Sequence, residues 1–98
     1  EKSKKDPDFW YNLGLTAFIQ KDYVVAVQSL QTLIAINPKD HEGLYLLSKI
    51  YFILQNRTGH NAALQYLQQI IKETQEKTLK ERATKLLEAL KEKLKLKK

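Results

Sequence analysis

The apolar positions recur every three or four residues along nearly the whole chain, which is the period of an amphipathic helix. Trp10, Leu13, Gly14 and Ala17 stand at spacings of three, one and three and place one apolar face over three turns, to about Gln20. Asp6-Pro7-Asp8 precedes them, an acidic cap followed by proline, and this is the chemistry expected of a helix start. Lys21-Asp22 breaks the pattern, and a second stripe of Tyr23, Ala26, Val27, Leu30, Leu33 and Ile34 runs to Asn37-Pro38. Proline lacks a backbone N–H and biases the residue before it away from helical angles, so the second helix ends there. Asp40 can cap a third helix with Leu44, Leu47, Tyr51 and Leu54 on one side and Ile50 and Ile53 widening the stripe. Residues 55–59 are polar, contain Asn and Gly, and read as a loop. Ala63, Leu64, Leu67, Ile70 and Ile71 mark a fourth helix. Leu79, Ala83, Leu86, Leu87, Leu90 and Leu94 mark a fifth, from Thr78 to about Leu96. Five helices without a strand predict an all-α domain.

The stripes also repeat. A shift of 34 residues sets Trp10 on Leu44, Leu13 on Leu47, Gly14 on Ser48 and Ala17 on Tyr51. Past the next turn a shift of 37 sets Ala26 on Ala63, Leu30 on Leu67, Leu33 on Ile70 and Ile34 on Ile71, so three residues are inserted between the third and fourth helices. Trp10, Tyr11-Asn12, Leu13-Gly14, Ala26 and Pro38 stand at the spacing of the tetratricopeptide repeat, and the first unit resembles that family. In the second unit Leu47, Tyr51 and Ala63 match, whereas Leu44 replaces the Trp, Ser48 replaces the Gly, and no proline closes the unit. The small Gly14 and Ala26 are expected to let paired helices approach closely, with Trp10 and Leu30 filling the space beside the contact. Ala17 and Leu33 exchange the family's larger and smaller residues at their positions, a compensating swap of volume. The resemblance implies antiparallel helix-turn-helix repeats in a short right-handed superhelix. One domain then spans 1–98, with repeats at 7–40 and 41–76 and a capping helix with a basic tail at 77–98. Two repeats are few for such an array, so further repeats, a partner or a second copy are expected to cover its exposed end.

Composition narrows the function. Ninety-eight residues suit one core, and 43% apolar with 29% charged residues suits a folded chain. The absence of cysteine removes disulfides, thiolate metal sites and a Cys nucleophile, and leaves the compartment open. With no methionine, even at position 1, the sequence reads as a piece or processed product of something longer. Apolar runs such as 23–27 and 33–36 fall far short of the roughly 20 residues of a spanning helix, so no transmembrane segment is expected. The net charge of +6 is unevenly placed: residues 1–71 carry seven basic and six acidic side chains, and 72–98 carry ten and five.

No catalytic constellation emerges. His41 and His60 lie near predicted helix starts without a second His at helical spacing, and capping or solvated roles are expected of both. Ser3, Ser29 and Ser48 have no elbow or base, and Gly14, Gly43 and Gly59 form no phosphate loop. The chain therefore reads as a non-enzyme with neither metal nor cofactor. Asn56-Arg57-Thr58 satisfies a glycosylation sequon in the predicted loop but is common by chance. The Lys-rich end from Leu94 to Lys98 could attract phosphate or anionic lipid, yet Glu81, Glu88 and Glu92 interleave the bases as on a solvated face. No nucleic-acid partner is expected.

Helical geometry leaves a second face over. In the first helix Asp8, Tyr11, Leu15 and Phe18 point away from the paired side, and in the third Glu42, Tyr45, Lys49 and Phe52 are their equivalents. The resemblance implies that these residues, with Asn12 and Leu46 beside them, line a concave groove that holds a segment of a partner protein. Some members of the family clamp a terminal carboxylate with Lys and Asn; here Tyr11 and Leu15 occupy two of those positions. The groove is therefore expected to read apolar or aromatic side chains of an internal segment or helix, with Lys49, Asp8 and Glu42 tuning charge. Two alternatives stand beside this: the same side chains are covered by the fifth helix or a further repeat, or they are buried between copies in a homo-oligomer.

Overall fold

The computed structural model describes residues 6–55 and 57–96 and is built from five α-helices. They are α1 (Pro7–Ile19), α2 (Tyr23–Ile36), α3 (His41–Leu54), α4 (Arg57–Glu73) and α5 (Lys77–Leu96). The predicted lead-in at residues 1–5, Asn56 of the sequon and the last two lysines lie outside the described residues.

Each of the first three helices starts on an aspartate. Asp6 Oδ1 accepts from the Asp8 N–H (2.9 Å), Asp22 Oδ1 from the Val25 N–H (3.3 Å) and Asp40 Oδ1 from the Gly43 N–H (2.9 Å), so each satisfies one of the orphan donors at a helix start. Lys21 closes the first turn with φ 65°, and Gln55 ends α3 with φ 55°. These are left-handed conformations that only a few exposed turn residues take.

The helices pack in sequence order: α1 on α2, α2 on α3, α3 on α4 and α4 on α5, with lighter contact of α1 with α3 and of α3 with α5. The result is a slab with extents of 46 × 30 × 19 Å. Its interior falls into two clusters joined through α3. Ala17, Ala26, Leu30, Leu33, Leu46, Leu47 and Ile50 form the first; Leu44, Ala63, Leu67, Ile70, Leu79, Ala83, Leu87 and Leu90 form the second. This is the nearest-neighbour packing of a helical repeat.

Within the first pair the expected close approach is present. A Cβ on Gly14 would stand 2.8 Å from Leu30 Cγ and 3.5 Å from the Ala26 carbonyl oxygen, so only a bare Cα fits there. Between pairs, Gly43 plays the same part: a Cβ on it would meet Leu33 Cδ2 at 2.5 Å. Leu33, large where the family is small, thus finds its room on α3.

Four expectations are corrected by the packing. The three inserted residues do not lengthen a loop, because α4 begins at Arg57 and has 17 residues against the 14 of α2. The added turn packs on α3: a Cβ on Gly59 would stand 2.7 Å from the Tyr51 ring. His60, expected capped or solvated, is fully buried in the first turns of α4. His41 is not a cap either, since Asp40 fills that role; its Nε2–H donates to Glu73 Oε1 at 2.9 Å and ties the start of α3 to the end of α4. Leu13, Ile53 and Leu54, counted among the inward stripes, are 37–42% exposed, and Leu46, placed beside the groove, is buried.

Candidate functional site

The side chains expected on the groove fall on one face of α1 and α3, and their neighbours fix the relative register. Tyr11 lies near Asp40 and Glu42; burial first, and then these two carboxylates, push its phenol above the ordinary tyrosine range. One to two turns further on, the Lys49 ammonium stands 5.4 Å from the centre of the Phe18 ring and 5.7 Å from that of Tyr45. Early residues of α1 therefore meet early residues of α3, and late meet late, so the two helices run parallel with α2 packed against both.

Tyr11, Leu15, Phe18, Tyr45, Lys49 and Phe52 are all half-buried, whereas Asp8, Asn12 and Glu42 are exposed. Half-burial follows from position: one side of each ring rests on the core clusters, to which Tyr11, Leu15, Phe18, Tyr45 and Phe52 all pack, and the other side is turned outward. Phe18 also meets Tyr23 of α2 as a tilted ring pair at 6.2 Å. Lys49 is half-buried, with its ammonium within reach of both rings as a cation held on aromatic faces.

Phe52 is partly covered from α5. The Lys93 ammonium stands 4.1 Å from the centre of its ring and donates a hydrogen bond to its backbone carbonyl at 3.0 Å. That carbonyl lies in the last turn of α3, where carbonyls run short of helical donors, so Lys93 supplies a donor there and places positive charge at the negative end of the helix dipole. The sequence pattern assigns Lys93 to a solvated face, and only the need of α3 for a C-terminal donor could have pointed to it.

Opposite this face the sequence missed a second feature. An apolar cavity of about 450 Å³ opens between α2, the end of α3 and the added first turn of α4, with Tyr23, Val27, Tyr51, Leu54 and Ala62 among its walls. Thr58 and Gly59 of the extra turn complete its lining.

Little in the arrangement offers acid–base or metal chemistry. Ser48 Oγ donates to the Leu44 carbonyl inside its own helix (2.8 Å), and Ser29 is buried in α2. Among the described residues no group of three or more His, Asp and Glu side chains could hold a metal ion. Nor, among them, is any helix long and apolar enough to cross a membrane.

The family model of the tetratricopeptide repeat matches residues 7–40, which are α1, α2 and the turns that flank them. Neither a curated protein nor a solved structure matches the chain. Tetratricopeptide repeats generally mediate protein–protein interaction and are typically non-catalytic. With one matched repeat, a second helix pair in the same register and a fifth helix packed behind it, the chain is a tetratricopeptide-like helical-repeat protein.

Proposed function

We propose that the chain is a non-catalytic docking module that holds a segment of a partner protein along the shared face of α1 and α3. The contact surface is Asp8, Tyr11, Asn12, Leu15, Phe18, Glu42, Tyr45, Lys49 and Phe52. The observation that carries the reading is the position of Lys49, whose ammonium reaches the rings of both Phe18 and Tyr45 and so joins side chains of the two repeats into one surface. Aromatic side chains held by packing on one side and open on the other give large contact area at small entropic cost. The repeats supply the scaffold, and the chemistry of the face supplies the selectivity.

The test is a fluorescence anisotropy titration with labelled peptides selected on the protein from a display library. Phe18→Ala and Tyr45→Ala are expected to weaken binding about tenfold or more each, the loss of an anchoring aromatic. Phe52→Ala is expected to cost less, because Lys93 already covers part of its ring. Unchanged affinity in both of the first two variants overturns the reading.

A second reading, association between copies, draws on a different surface. Ile19 and Val24 are about 70% exposed on either side of the first turn, and Val24 borders the cavity beside Leu54. Sedimentation separates the two: a concentration-dependent dimer lost on Val24→Lys supports association, and a monomer at high concentration dismisses it.

A further inference from the structure

The face of α1 and α3 has a charge direction. At the start of both helices stand Asp40 and Glu42, beside Tyr11, and Asp8, three residues before it on α1. Toward their ends stand Lys49, over Phe18 and Tyr45, and Lys93, over Phe52. Among the described residues neither ammonium has a carboxylate oxygen within 4.0 Å. Lys93 commits one of its three donors to the Phe52 carbonyl; Lys49 commits none to a carboxylate.

Both lysines are half-buried on aromatic rings. Such a group has already lost part of its water and part of its freedom, so a carboxylate brought to it gains more than at a fully exposed lysine. The neighbouring ring faces take apolar side chains. The acidic end of the same face decides what kind of molecule carries that carboxylate. A nucleic acid offers one sign of charge along its whole length and would set phosphates against Asp8 and Glu42. A peptide can offer both signs.

We infer, resting on the docking face proposed above, that the face selects a polar-ended protein segment: an internal Asp or Glu lies at Lys49 and Lys93, apolar side chains lie on Phe18 and Tyr45, and a basic residue lies toward Asp8 and Glu42. Glu42 and Lys49 are seven residues apart on α3, which is about 10 Å along the axis. That span is covered by about three residues of an extended segment or by two turns of a helical one.

The probe is a random twelve-residue peptide library displayed in the interior of a phage coat protein, so that no free C-terminus is offered. Sequences recovered on the intact chain are expected to be enriched severalfold in Asp and Glu next to apolar residues, with Lys or Arg at the stated span. A synthetic version of a recovered peptide should bind about tenfold more weakly when its acid is changed to the amide. Lys49→Glu should reverse the preference, favouring the peptide in which that acid is replaced by Lys, and Lys49→Gln should abolish it. Circular dichroism melts of both variants are the control for folding. The exchange of preference is a readout that a merely structural lysine would not give.

Three results overturn the inference. Peptides weakened by Phe18→Ala yet indifferent to the acid-to-amide change remove the charge direction and leave the docking face standing. No recovered peptide, or peptides untouched by Phe18→Ala and Tyr45→Ala, remove the face and the inference together. Competition by single-stranded RNA as strong as by the acidic peptide assigns the lysines to a polyanion instead.

Discussion

The two helix pairs carry the same register and opposite burial on one face. Phe9, Leu13 and Thr16 of α1 fall on Gly43, Leu47 and Ile50 of α3 at the 34-residue shift. In α1 all three are exposed, Phe9 at 41% and Leu13 at 37%; in α3 all three are buried, Leu47 and Ile50 fully. The difference is the neighbour, because α2 lies against α3 on that side and its Leu33 enters the room left by Gly43. Among the described residues nothing lies against the corresponding face of α1, and Phe9, in edge-to-face contact with Trp10 at 5.0 Å, projects where Gly43 leaves space. In a stacked array, then, the burial of a position belongs to the stack rather than to the repeat, and equivalent residues differ in energetic weight.

The largest test of that difference replaces the two equivalent leucines. Leu47→Ala empties a site with no exposed surface and is expected to cost about 2–5 kcal/mol. Leu13→Ala trims a side chain already partly in water and is expected to cost less than about 1.5 kcal/mol. Urea unfolding of both variants measures the gap. Equal losses would mean that α1 and α3 carry equal loads and that the asymmetry has no energetic content.

A smaller contrast lies at the contact inside each pair, where Gly14 falls on Ser48. Alanine is the better helix former by about 1 kcal/mol than glycine. At Gly14 that gain is opposed by a Cβ 2.8 Å from Leu30 Cγ, the branch point of a fully buried side chain, and overpacking of this kind costs about 1–3 kcal/mol. Gly14→Ala is therefore expected to destabilise. Ser48→Ala removes a hydroxyl that bonds back to the Leu44 carbonyl within its own helix, an interaction that contributes little, and is expected to change stability by less than about 1 kcal/mol. Thermal melts of the two variants give the signs; a stabilised Gly14→Ala would show that Leu30 yields.

Much of this was legible in the residues because the signals were local. Asp6, Asp22 and Asp40 precede helical stripes, Asn37-Pro38 ends one, and the resemblance of the first unit to the repeat family points to the close contact of Gly14 with the second helix near Ala26. Residues 55–59 misled because Gly59, a turn former on its own, sits in a helix where the Tyr51 ring leaves no room for a Cβ. That is a tertiary override of propensity. His60 misled in the same way, since nothing in its sequence neighbours reports burial. Of the proposed docking face, helical period alone placed Tyr11, Phe18, Tyr45 and Lys49 away from the paired side, and its reading as a groove came from the family resemblance. The closing of Phe52 by Lys93, 41 residues away, depends on where α5 lies and has no local signal.

The smallest contrast is electrostatic and present in one pair only. His41 and Glu73 join the start of α3 to the end of α4, and Gln69 Nε2 adds a bond to the same carboxylate at 3.2 Å. Their equivalents in the first pair are Pro7 and Ile36, which can form no such tie. The hydrogen bond from His41 first, then that from Gln69, hold the Glu73 carboxyl below the ordinary glutamate range against a slight opposing desolvation. A folded-state value below the unfolded one means that the ionised carboxylate favours the fold. Its contribution is complete above the ordinary glutamate value of about 4.3 and is lost as pH falls through the lowered one. Glu73→Gln removes that dependence. Urea midpoints of the two proteins are therefore expected to differ slightly at neutral pH and to converge in acid, as pH falls through the lowered Glu73 value. Because Glu73 is exposed, the shift is expected to be the smallest of the three contrasts. A gap between the curves that does not close in acid would assign the tie to packing rather than to charge.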